Sequence, residues 1–132
     1  MTFGLAAAVA TLHGVPWRLH GRDPCTGLDC VGVLAAGLAA IGRPAQLPTG
    51  YSLRLTRLDD WLPDPAALGF QPATGPIEPG DVLLLSTAPA QFHLAIAGPD
   101  QDWIHAHAGL RRVVRQKLRP DGQEVGRWRL IS

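Results

Sequence analysis

The sequence predicts an α+β fold in which helices come first and an antiparallel sheet follows. Apolar, Ala- and Leu-rich stretches with helix-stop signals are confined to the residues before Pro44. From Asp81 onward the chain breaks into short runs, VLLL, QFHLAIAG, DWIHAHAG, RRVVRQKL and VGRWRLIS, each set off by Gly, Pro or Asp. Runs at this spacing, joined by tight turns, read as neighbouring antiparallel strands. Helices gathered at one end and strands at the other mark an α+β chain rather than a doubly wound one.

Residues 2–13 lack β-branched clustering and end at Gly14 and Pro16, which predicts a first helix. Residues 14–28 read as loop. Asp29 is placed to cap a second helix that begins near Cys30, runs through Leu34, Leu38 and Ile41, and ends at Gly42 and Pro44. Its alanines and glycines suit close packing against a sheet. Pro and Gly dominate 43–80, where 53–62 is one short helical candidate. Glu78-Pro79-Gly80-Asp81 is a turn signature leading into VLLL, and about five strands follow to the end. There is no internal repeat and no low-complexity tract.

The 132 residues suffice for one core, so a single domain over 1–132 is expected. With 46% hydrophobic and 17% charged residues, the composition is that of a globular chain and not a disordered one. A net charge of +1 gives no broad field for nucleic acid or an anionic membrane. The arginines between 111 and 119 read as a solvated face. No apolar run reaches the roughly 18 residues a membrane span requires. The start, MTFGLAAAVATLHGVPW, has an apolar middle but no preceding Lys or Arg and no clear cleavage site. It reads as mature structure, so cytoplasmic synthesis without a signal peptide is expected. Cys25 and Cys30 do not make a disulfide-rich scaffold, although a local pair between them stays open.

Cys30 is the residue with the most chemical potential. A cysteine attacks as thiolate, and the first turn of a helix favours that form through its unpaired N–H groups and dipole. It also needs a base, normally a His brought near by the fold. Alternation puts His93, Ala95 and Ala97 on one face of their strand, with Phe92, Leu94 and Ile96 on the other. In the next strand His105 and His107 share a face opposite Ile104 and Ala106. In a hairpin either one can hydrogen-bond His93 and fix its tautomer, which makes a nucleophile, a base and an orienter. The backbone N–H of Cys30 is a ready oxyanion donor. Other readings compete. A Cys before an apolar run also describes a core thiol, and Cys25, Cys30, His93 and His105 would make four zinc ligands, although Cys-x4-Cys is looser than common zinc spacings. His107 has no derivable role, and His13 and His20 read as surface residues near loops.

The order GVPWRLHGRDPCTGLDCVGVL, then GDVLLL, then FHLAIAGPDQDWIHAHAG resembles the NlpC-like cell-wall peptidases, a bacterial branch of the papain-like cysteine peptidases. The likeness spans most of 14–107 and rests on order and spacing rather than on any single piece. It implies a papain-like fold, with N-terminal helices packed on the C-terminal antiparallel sheet. It implies Cys30 as nucleophile, His93 as general base and His105 as the polar orienter, with Asp29 and Trp17 as substrate-binding residues. The implied reaction is hydrolysis of an amide in a peptidoglycan stem peptide, typically the γ-D-glutamyl to diamino-acid bond, through a thioester and with no metal or cofactor. The small build looks like the versions carried by phage tails and gene-transfer particles, which implies phage tail proteins as partners and delivery to the wall by the particle. A plug module of such a tail without turnover and an injected amidase toxin are the alternatives. The chain departs from the family pattern in four places. Trp17 stands where a Tyr is usual, Val31 replaces the common Ser, Cys25 is additional, and the loop before Cys30 is one residue longer. An indole donates but cannot accept, which puts oxyanion support or substrate choice at issue.

Overall fold

Two helices and a six-stranded antiparallel sheet, with a small two-stranded ribbon, make up the computed structural model, which describes residues 2–47, 65–89 and 91–131. In chain order the elements are α1 (Thr2–Ala10), β1 (Arg22–Asp23), β2 (Gly27–Leu28), α2 (Cys30–Ala40), β3 (Phe70–Pro72), β4 (Val82–Ala88), β5 (Gln91–Ala97), β6 (Trp103–His107), β7 (Arg112–Gln116) and β8 (Gln123–Leu130). The sheet runs β3-β8-β4-β5-β6-β7. Helices first and sheet second is therefore the architecture, as the sequence predicts.

Two short pieces go beyond that expectation. The five strands expected after Asp81 all form, and Phe70–Pro72 adds a sixth by pairing with β8 from inside the Pro- and Gly-rich stretch. Three residues are too few to show a period of two, and Pro72 is tolerated because β3 is an edge strand. The loop before Cys30 holds the β1–β2 ribbon. The helical candidate at 53–62 lies outside the described residues.

The helices and one sheet face share the main core, built from Leu5 and Val9 of α1, Leu34 and Leu38 of α2, and Leu94, Ile96 and Ile104 of the sheet. Leu83, Leu85, Ala95, Ala97 and Trp103 form a second cluster of buried residues. Cross-strand pairing places Leu83 beside Ala95 and Leu84 beside Leu94, so the two clusters occupy opposite faces. Burial on both faces explains why β4 reads VLLL with no polar alternation. Gly37 of α2 faces α1 and not the sheet. A Cβ on Gly37 would lie 2.6 Å from Val9 Cγ1 and 2.9 Å from Leu5 Cδ1, so only glycine allows this helix contact.

Asp81 anchors the turn into β4. It is fully buried, and its carboxylate accepts from Arg129 Nε at 2.8 Å, Arg129 Nη2 at 3.0 Å and the Glu78 N–H at 3.0 Å. At the opposite edge residues 14–17 run along β7. Gly14 N–H donates to Val113 O (2.9 Å), Val113 N–H to Val15 O (2.8 Å), and Trp17 N–H to Arg111 O (2.9 Å). This cover satisfies the sheet edge and brings Trp17 to the mouth of a cleft.

Candidate active site

The cleft encloses about 730 Å³ between the start of α2 and the open end of the β5–β6 pair. Trp17, Asp29, Cys30, His93, His105 and Gln116 are among the residues that line it.

The helix start is built around Asp29, which is extended at φ −98° and ψ −170° and accepts from Gly32 N–H through Oδ1 at 2.8 Å. Arg22 Nη1 donates to the same oxygen at 3.1 Å, and His20 N–H donates to Oδ2 at 2.8 Å. The loop thus lies directly across the first turn of α2. A Cβ on Gly32 would stand 2.0 Å from Gly21 O, so the contact requires glycine at that position. These constraints fix Cys30 as the first helical residue, as the capping pattern predicts.

The thiol's surroundings differ from what its place on the helix implies. Burial pushes the Cys30 pKa well above its ordinary value, and the Asp29 charge pushes it further. The backbone N–H groups of Leu94, Val31 and Cys30 favour the thiolate but do not reverse the shift. Cys30 belongs to the main core cluster at 7% exposure, so the core-thiol and helix-start descriptions are both true of it.

The histidines meet as alternation allows. His93 Nε2 and His105 Nδ1 lie 2.8 Å apart, with the rings edge to face at 83°. Continuing the β5–β6 register of Ile96↔Ile104 and Ala97↔Trp103 would set His107 across from His93. The ladder stops before that point, and the contact runs diagonally to His105 instead. His107 holds the β6–β7 turn, its Nδ1 accepting from Leu110 N–H at 3.0 Å. Burial, then the His105 and His107 neighbours, pushes the His93 pKa down to about 3. Burial also lowers that of His105, against the opposing effect of its hydrogen bond to Gln116. The resting site therefore holds a neutral thiol and neutral imidazoles. Among the described residues no hydrogen bond joins the Cys30 thiol to the His93 ring.

Gln116 is the site residue that sequence reasoning missed. Its Oε1 lies 3.1 Å from His105 Nε2. A signal did exist, because Val114 and Gln116 alternate along β7. The β6–β7 register pairs His105 with Val114 and Trp103 with Gln116, which puts Gln116 on the histidine face. Cys25 is free and exposed, and Cys30 is free and buried. The local cysteine pair does not form, and among the described residues no three His, Cys, Asp or Glu side chains are arranged to hold a metal ion. No helix among the described residues is long and apolar enough to cross a membrane.

No family model matches the chain, and no curated protein matches it by sequence. Solved structures do match in fold. NlpC1 from Trichomonas vaginalis superposes with a TM-score of 0.64 at 16% identity, over 96% of this chain and 44% of that one. A protein similar to lipoprotein, of the NLP/P60 family, from Staphylococcus aureus gives 0.64 at 19%, over 99% and 41%. The NlpC/p60 domain of the peptidoglycan hydrolase SagA gives 0.60 at 20%, over 100% and 99%. This chain spans less than half of the first two and nearly all of the third. At these identities the likeness is one of fold, and the fold is papain-like α+β.

Proposed function

We propose that the chain is a cysteine peptidase or amidase that hydrolyses amide bonds in the stem peptides of bacterial peptidoglycan. One observation carries the reading: a cysteine on the first turn of a capped helix and a hydrogen-bonded pair of imidazoles line the same cleft. The neighbours' fold supports the substrate class, since one of them is the domain of a peptidoglycan hydrolase.

In this reading Cys30 Sγ attacks the amide carbonyl carbon while its proton passes to His93. A neutral resting pair makes that transfer part of the attack and not a prior equilibrium. Hydrogen bonds of this kind are often long before substrate binds and tighten in the complex. The oxyanion accepts from the Cys30 backbone N–H. His93 returns the proton to the leaving amine, which departs and leaves a thioester. Water then gives a proton to His93 and attacks the thioester, the tetrahedral adduct collapses, and the acid and the free thiol are restored. His105 holds the His93 ring throughout. Asp29 and Trp17 form the wall that faces the bound peptide.

The γ-D-glutamyl to diamino-acid bond is the proposed target, and a phage-like particle or a secretion apparatus the proposed route from cytoplasmic synthesis to the wall. Both rest on the sequence resemblance. The buried thiol with its raised pKa favours a second reading, a papain-like module of a phage tail without turnover. Mass spectrometry of muropeptides after digestion of purified peptidoglycan separates the two. New termini at one amide bond, lost in Cys30→Ala, support the hydrolase; a Cys30→Ala protein that still digests the wall overturns it.

A further inference from the structure

Gln116 decides where the protons of both histidines sit. Its own amide is oriented by the backbone, because Nε2 donates to Leu118 O at 2.7 Å. That leaves Oε1 toward His105 Nε2 at 3.1 Å. The reverse orientation would set two acceptor oxygens against each other at Leu118. An amide oxygen carries no proton, so His105 Nε2 must be the donor. A neutral imidazole has one N–H, which leaves His105 Nδ1 bare and accepting. The atom facing it at 2.8 Å is His93 Nε2, which must therefore donate. His93 Nδ1 is then the only nitrogen of that ring free to accept a proton.

We propose that Gln116 is a positioning residue, whose amide sets the tautomer of His105 and, through it, of His93, leaving His93 Nδ1 as the base. The role in turnover rests on the hydrolase reading, but the tautomers do not. The device also serves the protonated state. When His93 takes the thiol proton on Nδ1, its Nε2–H still points at an acceptor, and His105 still donates to Gln116. No second proton has to move. A lone residue in a basic stripe thereby becomes the fixed end of a directional chain from β7 to the cleft.

Long-range proton–nitrogen NMR spectra of the 15N-labelled protein at pH 8 read each ring's tautomer directly. Both His93 and His105 are expected with the proton on Nε2; a proton on His93 Nδ1 overturns the proposal. Gln116→Met removes the acceptor, and mixed tautomers should appear on both rings. The turnover number on peptidoglycan should fall about 10- to 100-fold, taking as a guide the loss on removing a partner that orients a metal-bound imidazole, with KM little changed. Gln116→Glu keeps an acceptor toward His105 but loses the donor to Leu118 O; it should keep the native tautomers and lose less of the rate than Gln116→Met. A Gln116→Met spectrum identical to the native one overturns the proposal. Native protein with the expected tautomers but no muropeptide products would refute the hydrolase reading and leave the Gln116 assignment supported.

Discussion

Asp29→Ala should move stability and thiol acidity in opposite senses, and the structure gives a magnitude for the first. The carboxylate accepts from Gly32 N–H at 2.8 Å, and losing such a cap costs about 1 kcal/mol. It accepts from His20 N–H at 2.8 Å, and a part-buried donor left without its partner costs about 1–3 kcal/mol. The ion pair with Arg22, whose side chain is 25% exposed, adds under about 1 kcal/mol. The sum, about 2–5 kcal/mol, is a large share of the roughly 5–15 kcal/mol that holds a domain folded. With a urea slope of about 2 kcal/mol per molar, the unfolding midpoint should fall by about 1–2.5 M. The same change removes the charge that, after burial, most opposes ionisation of Cys30. The pH midpoint for alkylation of Cys30 by iodoacetamide should therefore fall. Asp29→Asn separates the two effects, because one amide oxygen can still cap α2 while the charge is gone. It should keep more of the stability and show the same shift in alkylation. Urea melts and alkylation rates across pH are the assays. An unchanged urea midpoint in Asp29→Ala, or an alkylation profile that stays put or moves to higher pH, would refute the reasoning.

Stability should pass through a plateau between about pH 6.5 and 9. Below the ordinary histidine value of 6.5 the unfolded chain takes up a proton that folded His93 refuses down to about 3, so stability falls with acid by about 1.4 kcal/mol per pH unit. Above the ordinary thiol value of 9.0 the unfolded chain loses a proton that folded Cys30 keeps, so stability falls again. Urea midpoints against pH show both limbs, and Cys30→Ala should abolish the alkaline one. Asp81→Ala strips Arg129 of its buried partner and should cost about 3 kcal/mol, at the low end for such pairs, since Arg129 is 21% exposed and keeps Glu78 at 2.7 Å; calorimetry checks this. Gly37→Val forces a branched side chain against Val9 and Leu5 and should cost about 1–3 kcal/mol in the same measurement.

What the sequence makes legible is what local rules govern. Asp29 and the start of α2 are legible because a cap is set by residues within one helical turn. The shared face of His93 and His105 is legible because strand alternation does not depend on turn details. The choice of His105 over His107 depends on where the β5–β6 ladder ends, and nothing near either histidine encodes that. Gln116 requires the β6–β7 register, which follows from turn geometry and not from residue type. The proton affinity of Cys30 is the clearest case. Helix position favours the thiolate, but burial among α2 and sheet side chains is a tertiary property, and it outweighs the helix start. For the same reason Phe70–Pro72 joins the sheet through a partner found near the other end of the chain.

The segment 14–17 has two duties at once, because the residues that occupy the outer edge of β7 also deliver Trp17 to the cleft. A molecule in which that segment peels away gains an unsatisfied strand edge, open to pairing with another chain, in the same event that removes part of the lining of the cleft. The shape of the cleft and the cover of the sheet edge are secured by the same few hydrogen bonds, and they fail together.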